Sequence, residues 1–330
     1  MNQIAAPDQS VDHAKLLGLC KASADALRLD ILRVLSVESF GVMELCRIFD
    51  TAQPGMSHHL KVLSSAGLVQ ARREGNSIFY RRAIISADDP LSHFIEHLYD
   101  SIDRIPLDNA IEKQVQAVHR ERARSSREFF EKNAARFKEN QDLIAEFDHY
   151  AGCVNDLISN EQVPATSRVI EIGPGNSDLI LMLADHFDEI LAIDNSPEML
   201  NQAREKVNSA NVDNVTFLQG ELDDLAAEGT HADMITLNMV LHHIASPIKI
   251  FEGAHRVLNR DGRLLIIDLC PHNQDWARDI CGDLWLGFEP ADLDNWADEV
   301  GLVKGQSVFL GLKNGFQVQV RLFHQPEMPQ

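Results

Sequence analysis

Residues Arg168-Val-Ile-Glu-Ile-Gly-Pro-Gly-Asn-Ser-Asp-Leu179 decide the fold of the C-terminal half of the chain. Their apolar start predicts a buried strand, the two glycines predict a tight turn, and the residues that follow have helical spacing. A second apolar run, Leu191-Ala-Ile-Asp194, predicts the next strand. Strand, glycine turn, helix and strand in this order are typical of a nucleotide-binding βαβ unit.

The side chains of this unit indicate which ligand it suits. Gly173 and Gly175 allow a sharp turn and a close approach to the backbone, and the amides near Ser177 offer donors to an anion. Asp194 stands where a carboxylate can accept from both ribose hydroxyls. Asp178 occupies the position where a dinucleotide site has a small residue, and a buried carboxylate there would repel a pyrophosphate. NAD is therefore disfavoured.

Length and charge suggest two or three units of different character. The chain has 330 residues and a formal net charge of -20, but residues 161–330 carry 11 basic and 27 acidic side chains, against 10 and 12 in residues 1–100. The five cysteines show no Cys-x-x-Cys spacing, as expected in a reducing compartment. There is no signal-like N-terminus and no apolar run of membrane-spanning length. We expect a soluble cytoplasmic protein with no membrane partner.

The first hundred residues have the pattern of a DNA-binding domain. Three amphipathic helical segments are followed by a proline-initiated helix from Pro54 to Ala66. Residues 68–82 read as two strands around the turn Glu74-Gly75-Asn76. Between Met56 and Arg82 five basic residues stand against one acidic residue, a balance that suits phosphate. The pattern predicts a winged helix-turn-helix.

Three strings within roughly residues 10–105 resemble the ArsR family of dimeric transcriptional repressors: Arg28-Leu-Asp-Ile-Leu-Arg-Val-Leu35, Gln53-Pro-Gly-Met-Ser-His-His-Leu60 and Arg72-Arg-Glu-Gly-Asn-Ser-Ile-Phe-Tyr-Arg81. The resemblance implies that the helix from Pro54 to Ala66 enters the major groove of operator DNA. It assigns base contacts to Gln53, Ser57 and His58, and backbone contacts to Lys61, Arg72, Arg73 and Arg81. For each residue the alternative is an ordinary solvated side chain.

The metal sites of that family are not reproduced. Its thiol sensors carry Glu-Leu-Cys-x-Cys-Asp, whereas this chain has Glu44-Leu-Cys-Arg-Ile-Phe-Asp50 and lacks the second thiol. Asp89, His93 and His97 do not match the other known spacing. We predict no metal ligands and interpret Cys46 as a small buried residue. A metal-responsive repressor that uses Cys20 with Cys46 is the weakest alternative.

Residues 106–160 are predicted to form a helical connector. The segment is rich in Arg, Glu, Lys and Ala, has no glycine before Gly152, and suits one long helix or two. Phe129, Phe130 and Phe137 make an apolar stripe that we interpret as packing. The alternative is a helix that closes over a ligand, as an aromatic-containing helix does in many methyltransferases.

Residues 161–330 resemble the class I methyltransferases that use S-adenosylmethionine (SAM). The Glu171-x-Gly-x-Gly-x-Ser177 turn, Gly220-Glu-Leu-Asp-Asp-Leu225 and Asn238-Met-Val-Leu-His-His-Ile244 follow one another in that family's order, and an Asn-Gly hairpin turn stands near Gly315. The resemblance implies a Rossmann-like α/β fold. It implies SAM or S-adenosylhomocysteine (SAH) as ligand.

The motif positions supply a candidate ligand site. The resemblance assigns the amino-acid part of the ligand to Glu171, Gly173 and Gly175, and the ribose to Asp194. It assigns the adenine edge to Glu221 and Leu222 and the sulfonium side to Asn238, with Asn195 and Met199 nearby. His243 is the candidate catalytic base, or only a wall of the site. Trp276, Trp285 and Phe288, in the insertion after Asp268, are expected to cap a pocket.

The whole chain therefore has a mixed architecture. We predict a winged helix-turn-helix domain (α+β) in residues 1–105, a helical connector in 106–160 and a methyltransferase-like domain in 161–330. This order resembles ArsR-type regulators with C-terminal methyltransferase-like domains, including SAH-responsive ones. It implies a homodimeric repressor of an inverted-repeat operator that responds to SAH or SAM. The main alternative is a SAM-dependent methyltransferase of unknown acceptor that also represses its own gene.

Overall fold

A computed structural model describes residues 13–74, 77–86 and 88–326. Gly75 and Asn76, at the tip of the predicted hairpin turn, lie outside the described residues. The chain divides into two compact units between Val118 and His119. We call them the N-terminal unit and the C-terminal unit.

The N-terminal unit is helical with a small antiparallel sheet. Its elements are α1 (His13–Ser23), α2 (Ala26–Val34), β1 (Phe40–Gly41), α3 (Val42–Ile48), α4 (Gln53–Ser65), β2 (Val69–Glu74), β3 (Ser77–Arg82) and α5 (Ser92–Asp103). The strands are ordered β1-β3-β2. The next helix, α6 (Asn109–Asp142), begins in this unit and continues into the next.

Local sequence explains the helix that is predicted to read DNA. Pro54 stands in the first turn of α4, where its missing amide donor is not needed. Met56, Leu60 and Leu63 repeat at helical spacing and are fully buried. Gly67, with a φ of 75°, ends the turn before β2. The predicted winged helix-turn-helix fold is confirmed.

The C-terminal unit alternates strands and helices. After α6 come α7 (Ala151–Asn160), β4 (Arg168–Ile172), α8 (Leu179–His186), β5 (Glu189–Asp194), α9 (Pro197–Ser209), β6 (Val215–Gln219), α10 (Leu222–Ala227), β7 (Ala232–Asn238), α11 (Ile248–Val257), β8 (Leu258–Leu269), α12 (Trp276–Cys281), α13 (Pro290–Val300), β9 (Val303–Gly311) and β10 (Gln317–His324). Short 3-10 turns cover Phe147–His149 and Leu241–His243.

Seven strands form one mostly parallel sheet in the order β6-β5-β4-β7-β8-β10-β9. The strands from β6 to β8 are parallel, and β10 is antiparallel to both β8 and β9. Strand order reverses between β4 and β7, and a crevice opens at the carboxyl ends of strands beside such a switch point. The predicted Rossmann-like methyltransferase fold is confirmed.

Several short elements were not expected from sequence. The six-residue helix α10 is held by a capping box in which the Asp224 carboxylate accepts from the Glu221 amide at 2.8 Å. Neither α10 nor α12 is long enough to show a helical period. In the described parts of the chain, no helix has the length and apolarity to cross a membrane.

Candidate ligand cavity and DNA-facing helix

Two positions of the turn after β4 strongly favour glycine. Gly173 has a φ of 66°, and a Cβ there would lie 2.7 Å from a methyl group of Val240. Gly175 has a φ of 47°, and its Cβ would lie 3.0 Å from Cε of Met199. The Gly173 amide donates to the carbonyl of Ile193 at 2.8 Å, which fastens the turn to the end of β5. The backbone thus stays open to a ligand.

A cavity of about 350 Å³ lies in the C-terminal unit around this turn. Its volume is within the range of small-molecule sites, ~300–1,000 Å³. Most of the predicted ligand residues line it: Gly173, Gly175, Asp194, Asn195, Met199, Glu221, Leu222, Asn238 and also His243.

Glu171 lies elsewhere. It is 1% exposed, does not line the cavity, and neither carboxyl oxygen has a hydrogen-bond partner among the described residues. It stands in the middle of β4, in register with Ala192 and Thr236 on the neighbouring strands. Burial raises the pKa of Glu171 to about 8, although Lys206 acts in the opposite direction. The carboxyl group is therefore largely protonated at neutral pH.

Asp194 ends β5 at the cavity wall. Burial raises the pKa of Asp194 to about 6, and the amides of Ser196 and Asn195 counteract this shift. The Ser196 amide donates to one carboxylate oxygen at 2.8 Å. Asp194 is ionised at neutral pH and can accept from a ligand diol. Beside it, the side-chain amide of Asn195 donates to the carboxylate of Glu221 at 3.1 Å, so these two predicted ligand residues already pair with each other.

Asn238, at the end of β7, is held from both sides. Its side-chain nitrogen donates to the hydroxyl of Ser177 at 2.8 Å, and its oxygen accepts from the hydroxyl of Tyr150 at 3.0 Å. Burial raises the pKa of Tyr150, which therefore stays a donor. Tyr150 was missed by the sequence analysis because it lies 88 residues away from Asn238.

The argument that Asp178 is a buried carboxylate is wrong. Its side chain is 41% exposed and forms ion pairs with Lys206 and, at 3.3 Å, with Lys138. Both ammonium groups also donate to the carbonyl of Asn176. The lysines lower the pKa of Asp178 against the effect of burial. Repulsion by Asp178 is thus no reason to exclude an anionic ligand.

Helix α6 supplies one wall of the cavity. Phe130, Phe137 and Gln141 line it, and the two phenylalanine rings pack edge to face with centroids 5.0 Å apart. The Ser126 hydroxyl donates to the carbonyl of His243 at 3.2 Å. Packing and lining, offered as alternatives for the aromatic stripe, therefore occur together.

A strained residue also lines the cavity. Met239 has a φ of 55°, in the left-handed region that residues other than glycine rarely adopt. Its carbonyl accepts from Gln141 at 3.5 Å, and its amide donates to Ile267 at 2.8 Å. Such strain is found at ligand sites more than elsewhere. No residue pattern in the sequence signals it.

His243 presents a neutral ring to the cavity. Burial lowers the pKa of His243 well below its ordinary value, and the neighbouring His242 lowers it further. Nδ1–H donates to the Gly282 carbonyl at 3.3 Å, and the ring packs against Phe130 with centroids 5.0 Å apart. Nε2 has no hydrogen-bond partner among the described residues.

The aromatic residues of the insertion are placed differently from the expectation. Trp276, Trp285 and Phe288 do not line this cavity. The Trp285 indole donates to the carbonyl of Ile244 at 2.8 Å, and Phe288 packs against Trp296 with ring centroids 5.4 Å apart. Trp285 and Phe288 therefore contact other parts of the unit, whereas the phenylalanine rings that line the cavity belong to α6.

In the N-terminal unit, the predicted base-reading residues share one exposed face of α4. Gln53, Ser57, His58 and Lys61 are exposed, and Met56, Leu60 and Leu63 face the core. A three- and four-residue spacing puts side chains on one side of a helix.

The arginines of the wing differ in their exposure. Arg72 forms an ion pair at 2.8 Å with Glu74, which is 2% exposed. Arg73 is exposed, and Arg81 donates to Gln70 at 3.4 Å. Arg82, not a predicted contact, donates to both carboxylate oxygens of Asp103 at 2.7 and 2.8 Å. Of the predicted three, Arg73 is exposed, whereas Arg72 and Arg81 are half-buried.

Cys20 and Cys46, the thiols considered for metal binding, differ in exposure. Cys20 is exposed and Cys46 is half-buried, and burial raises the pKa of Cys46. The group of close metal-ligating side chains found in the described ranges contains neither cysteine.

Comparisons with known proteins match both units. Residues 25–71 match the family of bacterial regulatory proteins of the arsR type, and residues 165–301 match the methyltransferase domain family. The HTH-type transcriptional regulator MJ1325 of Methanocaldococcus jannaschii is 42% identical over 71 residues, which cover 21% of this chain and 78% of the relative.

The methyltransferase half is similar to more distant proteins. YcgJ of Bacillus subtilis, an uncharacterized methyltransferase, is 29% identical over 139 residues, which cover 42% of this chain and 53% of the relative. The chain thus spans about half of that relative's length. A chain from the complex of the Haloferax volcanii Trm112 methyltransferase activator with a methyltransferase superposes with a TM-score of 0.50 and 18% identity, covering 62% of this chain and 99% of that one. That likeness shows the fold.

The N-terminal matches include a relative of which most of the length is covered, and they agree with the helix-turn-helix fold. The chain belongs to the ArsR family of bacterial regulatory proteins, and it carries a methyltransferase domain behind its helix-turn-helix segment.

Proposed function

We propose that this transcriptional regulator is a homodimeric repressor whose affinity for an inverted-repeat operator changes when SAM or SAH occupies the cavity. The observation that carries the proposal is helix α6, whose residues belong to the core of the N-terminal unit at one end and to the wall of the ligand cavity at the other.

The cavity has the donors and acceptors that a nucleoside with an amino-acid tail requires. The glycine turn lines the cavity, and position 173 requires glycine because a Cβ there would collide with Val240. Asp194 offers an ionised carboxylate to the ribose diol. Glu221 and Leu222 line the cavity where the resemblance puts the adenine edge. We assign the ribose to Asp194 and the amino-acid part to the glycine turn.

Through the same helix, a ligand bound in the cavity can affect the DNA-binding fold. Ile111, Val115 and Val118 of α6 pack against the hydrophobic core of the N-terminal unit. Phe130 and Phe137, farther along α6, line the cavity. A ligand that binds differently to two positions of this helix shifts the equilibrium between them by that difference in binding free energy.

The DNA contact rests on the exposed face of α4. Gln53, Ser57 and His58 are the base-reading residues, and Lys61 with the wing arginines Arg72, Arg73 and Arg81 neutralises phosphates. Leu17 on α1 and Phe94 on α5 are 57% and 38% exposed, and we assign them to the dimer contact. A homodimer would place its two α4 helices on half-sites about one helical turn apart.

The proposal is tested with the full chain and a labelled fragment of its upstream region. SAM and SAH are each titrated by calorimetry, and fluorescence anisotropy then gives the operator Kd without ligand and with each at saturation. We expect saturable binding of at least one of them and a change of operator Kd by about 5- to 150-fold, the usual range of coupling between sites. Specific operator binding that neither ligand alters would refute the proposal.

A second function is favoured by His243, which presents a neutral imidazole at the cavity wall. It would serve as the base of a SAM-dependent methyltransferase that also represses its own gene. Incubation with labelled SAM and cell extract tests this reading. Label transfer that Asp194→Ala abolishes supports the enzyme, whereas tight SAM binding without transfer supports the sensor.

A further inference from the structure

A second group of polar side chains lies behind the wall of the cavity. His242, His243 and Asp283 are at most 6% exposed. One Asp283 carboxylate oxygen lies 3.7 Å from Nε2 of His242 and 4.0 Å from Nδ1 of His243. These three ligand atoms all lie within 4.8 Å of one another. Two imidazole nitrogens and one carboxylate oxygen thus converge in the interior of the unit.

A fourth side chain fixes the ring that faces this group. His242 Nδ1–H donates to Asp268 at 2.8 Å, and Asp268 is fully buried. The same carboxylate accepts from the amides of Leu269 and His242, at 2.7 and 3.3 Å. With Nδ1–H bound to Asp268, Nε2 of His242 lies on the side of the ring that faces Asp283. A carboxylate behind a histidine is the usual outer contact of a metal-bound imidazole.

The backbone holds these residues together before any ion arrives. The amides of Leu284 and Trp285 both donate to the carbonyl of His242, at 3.0 and 3.1 Å. Gly282, with a φ of 77°, turns the chain so that Asp283 points back at the histidines. A Cβ at Gly282 would lie 2.3 Å from the ring of Phe129, so this turn admits glycine only.

We propose that His242, His243 and Asp283 bind a divalent transition-metal ion, with Asp268 orienting His242. The ligand atoms are His242 Nε2, His243 Nδ1 and one oxygen of Asp283. In a tetrahedral zinc site with bonds of about 2.0–2.1 Å, neighbouring ligand atoms are about 3.3 Å apart. The observed 3.7 and 4.0 Å must therefore contract by less than 1 Å. His243 must also give up its 3.3 Å contact with the Gly282 carbonyl.

The donor set selects the class of ion. Imidazole nitrogens suit zinc, iron, nickel and copper, whereas calcium and magnesium prefer a shell of oxygen ligands. His243 also lines the ligand cavity, and this gives an ion a path from solvent. The inference does not depend on the proposed sensing of SAM or SAH. Of its three donors, His243 alone lines the ligand cavity.

The test uses the full chain after removal of metal with a chelator. Cobalt(II), a spectroscopic probe of zinc sites, is titrated and then displaced by zinc. We expect saturation at one ion per chain, visible bands of a site with nitrogen and oxygen donors, and no thiolate charge-transfer band in the near ultraviolet. Asp283→Asn should weaken binding at least 100-fold. Asp279→Asn, an exposed carboxylate in the same segment, should leave the affinity unchanged.

Three results would overturn the site. One is the absence of saturable cobalt or zinc binding, in which case the cluster holds a proton between His242 and the two carboxylates. Another is equal affinity in Asp283→Asn and Asp279→Asn. The third is a thiolate band, which would assign the ion to a cysteine. The spectrum of the unmodified chain decides the last point even if the Asp283 variant does not fold.

Discussion

The exposed face of α4 and the ligand cavity of the C-terminal unit, which we propose as the two recognition sites, differ in their physical character. Gln53, Ser57 and Lys61 are exposed to solvent. In the C-terminal unit, by contrast, burial raises the pKa of Asp194 at the cavity wall and of Glu171 inside the sheet. Exposed charges act through a potential that salt screens, whereas buried ones respond to protonation. The two regions should therefore answer to different variables, the operator contact to salt and the ligand site to pH.

The largest effect is expected at Glu171. Its folded pKa of about 8 lies above the ordinary 4.5, so its contribution to stability is complete below pH 4.5 and is lost as the pH rises through 8. Over this pH range the free energy of unfolding should fall by an amount on the order of 5 kcal/mol. Glu171→Gln, which keeps the shape without the charge, should remove most of this pH dependence. Urea unfolding at pH 5 and pH 9 measures it, and an unchanged dependence would contradict the burial of this carboxyl group.

Gly173→Ala should come next, because it closes the ligand site. The new Cβ would lie 2.7 Å from Val240 on a backbone with a φ of 66°. We expect ligand affinity to fall at least 100-fold, a loss of about 3 kcal/mol or more. Gly229→Ala has a similar φ of 71° but an open surrounding, and so controls for backbone strain alone. Calorimetry with SAM and SAH checks both. Retained affinity in Gly173→Ala would place the ligand elsewhere.

Asp194→Asn should weaken binding roughly 10- to 100-fold, since hydrogen bonds to a charged group contribute about 1.5–3 kcal/mol. The same residue gives the site its pH dependence. Because the pKa of Asp194 is about 6, ligand affinity in the unmodified chain should fall as the pH drops below 6, and in the variant it should not. Asp213→Asn, exposed and outside the cavity, is the matched control. If the unmodified chain and both variants have the same pH profile, the assignment of Asp194 to the ligand is wrong.

The smallest effect is expected on the exposed face of α4. Lys61→Ala should weaken operator binding several-fold on every sequence and reduce the slope of log K against log salt by about one. Lys21→Ala, an exposed lysine of α1, should change neither quantity. Anisotropy titrations at four salt concentrations give the slopes. If the two lysine variants behave alike, α4 is not the reading helix.

The same contrast explains what could be predicted from sequence. The winged helix and the parallel sheet follow from local apolar spacing, as in Met56, Leu60 and Leu63 of α4, or in the run that forms β4. Exposed reading residues are set by that same spacing. Local patterns therefore predicted the fold and the position of the glycine turn.

What the sequence did not predict depends on contacts between distant residues. Asp283 meets His242 across 41 residues, and Tyr150 meets Asn238 across 88. Asp178 was wrongly taken as buried because the lysines that pair with it lie on other helices. The strain at Met239 depends on tertiary packing. No local spacing encodes such contacts.

The central claim is that ligand binding in the cavity and operator binding by α4 depend on the same conformational equilibrium. Thermodynamic linkage makes that coupling reciprocal. The most direct measurement is the Kd of SAM or SAH for the full chain, by calorimetry, with and without saturating operator DNA. The account predicts that operator DNA changes the ligand Kd by the same factor as the ligand changes the operator Kd. An identical ligand Kd in the two conditions would contradict it.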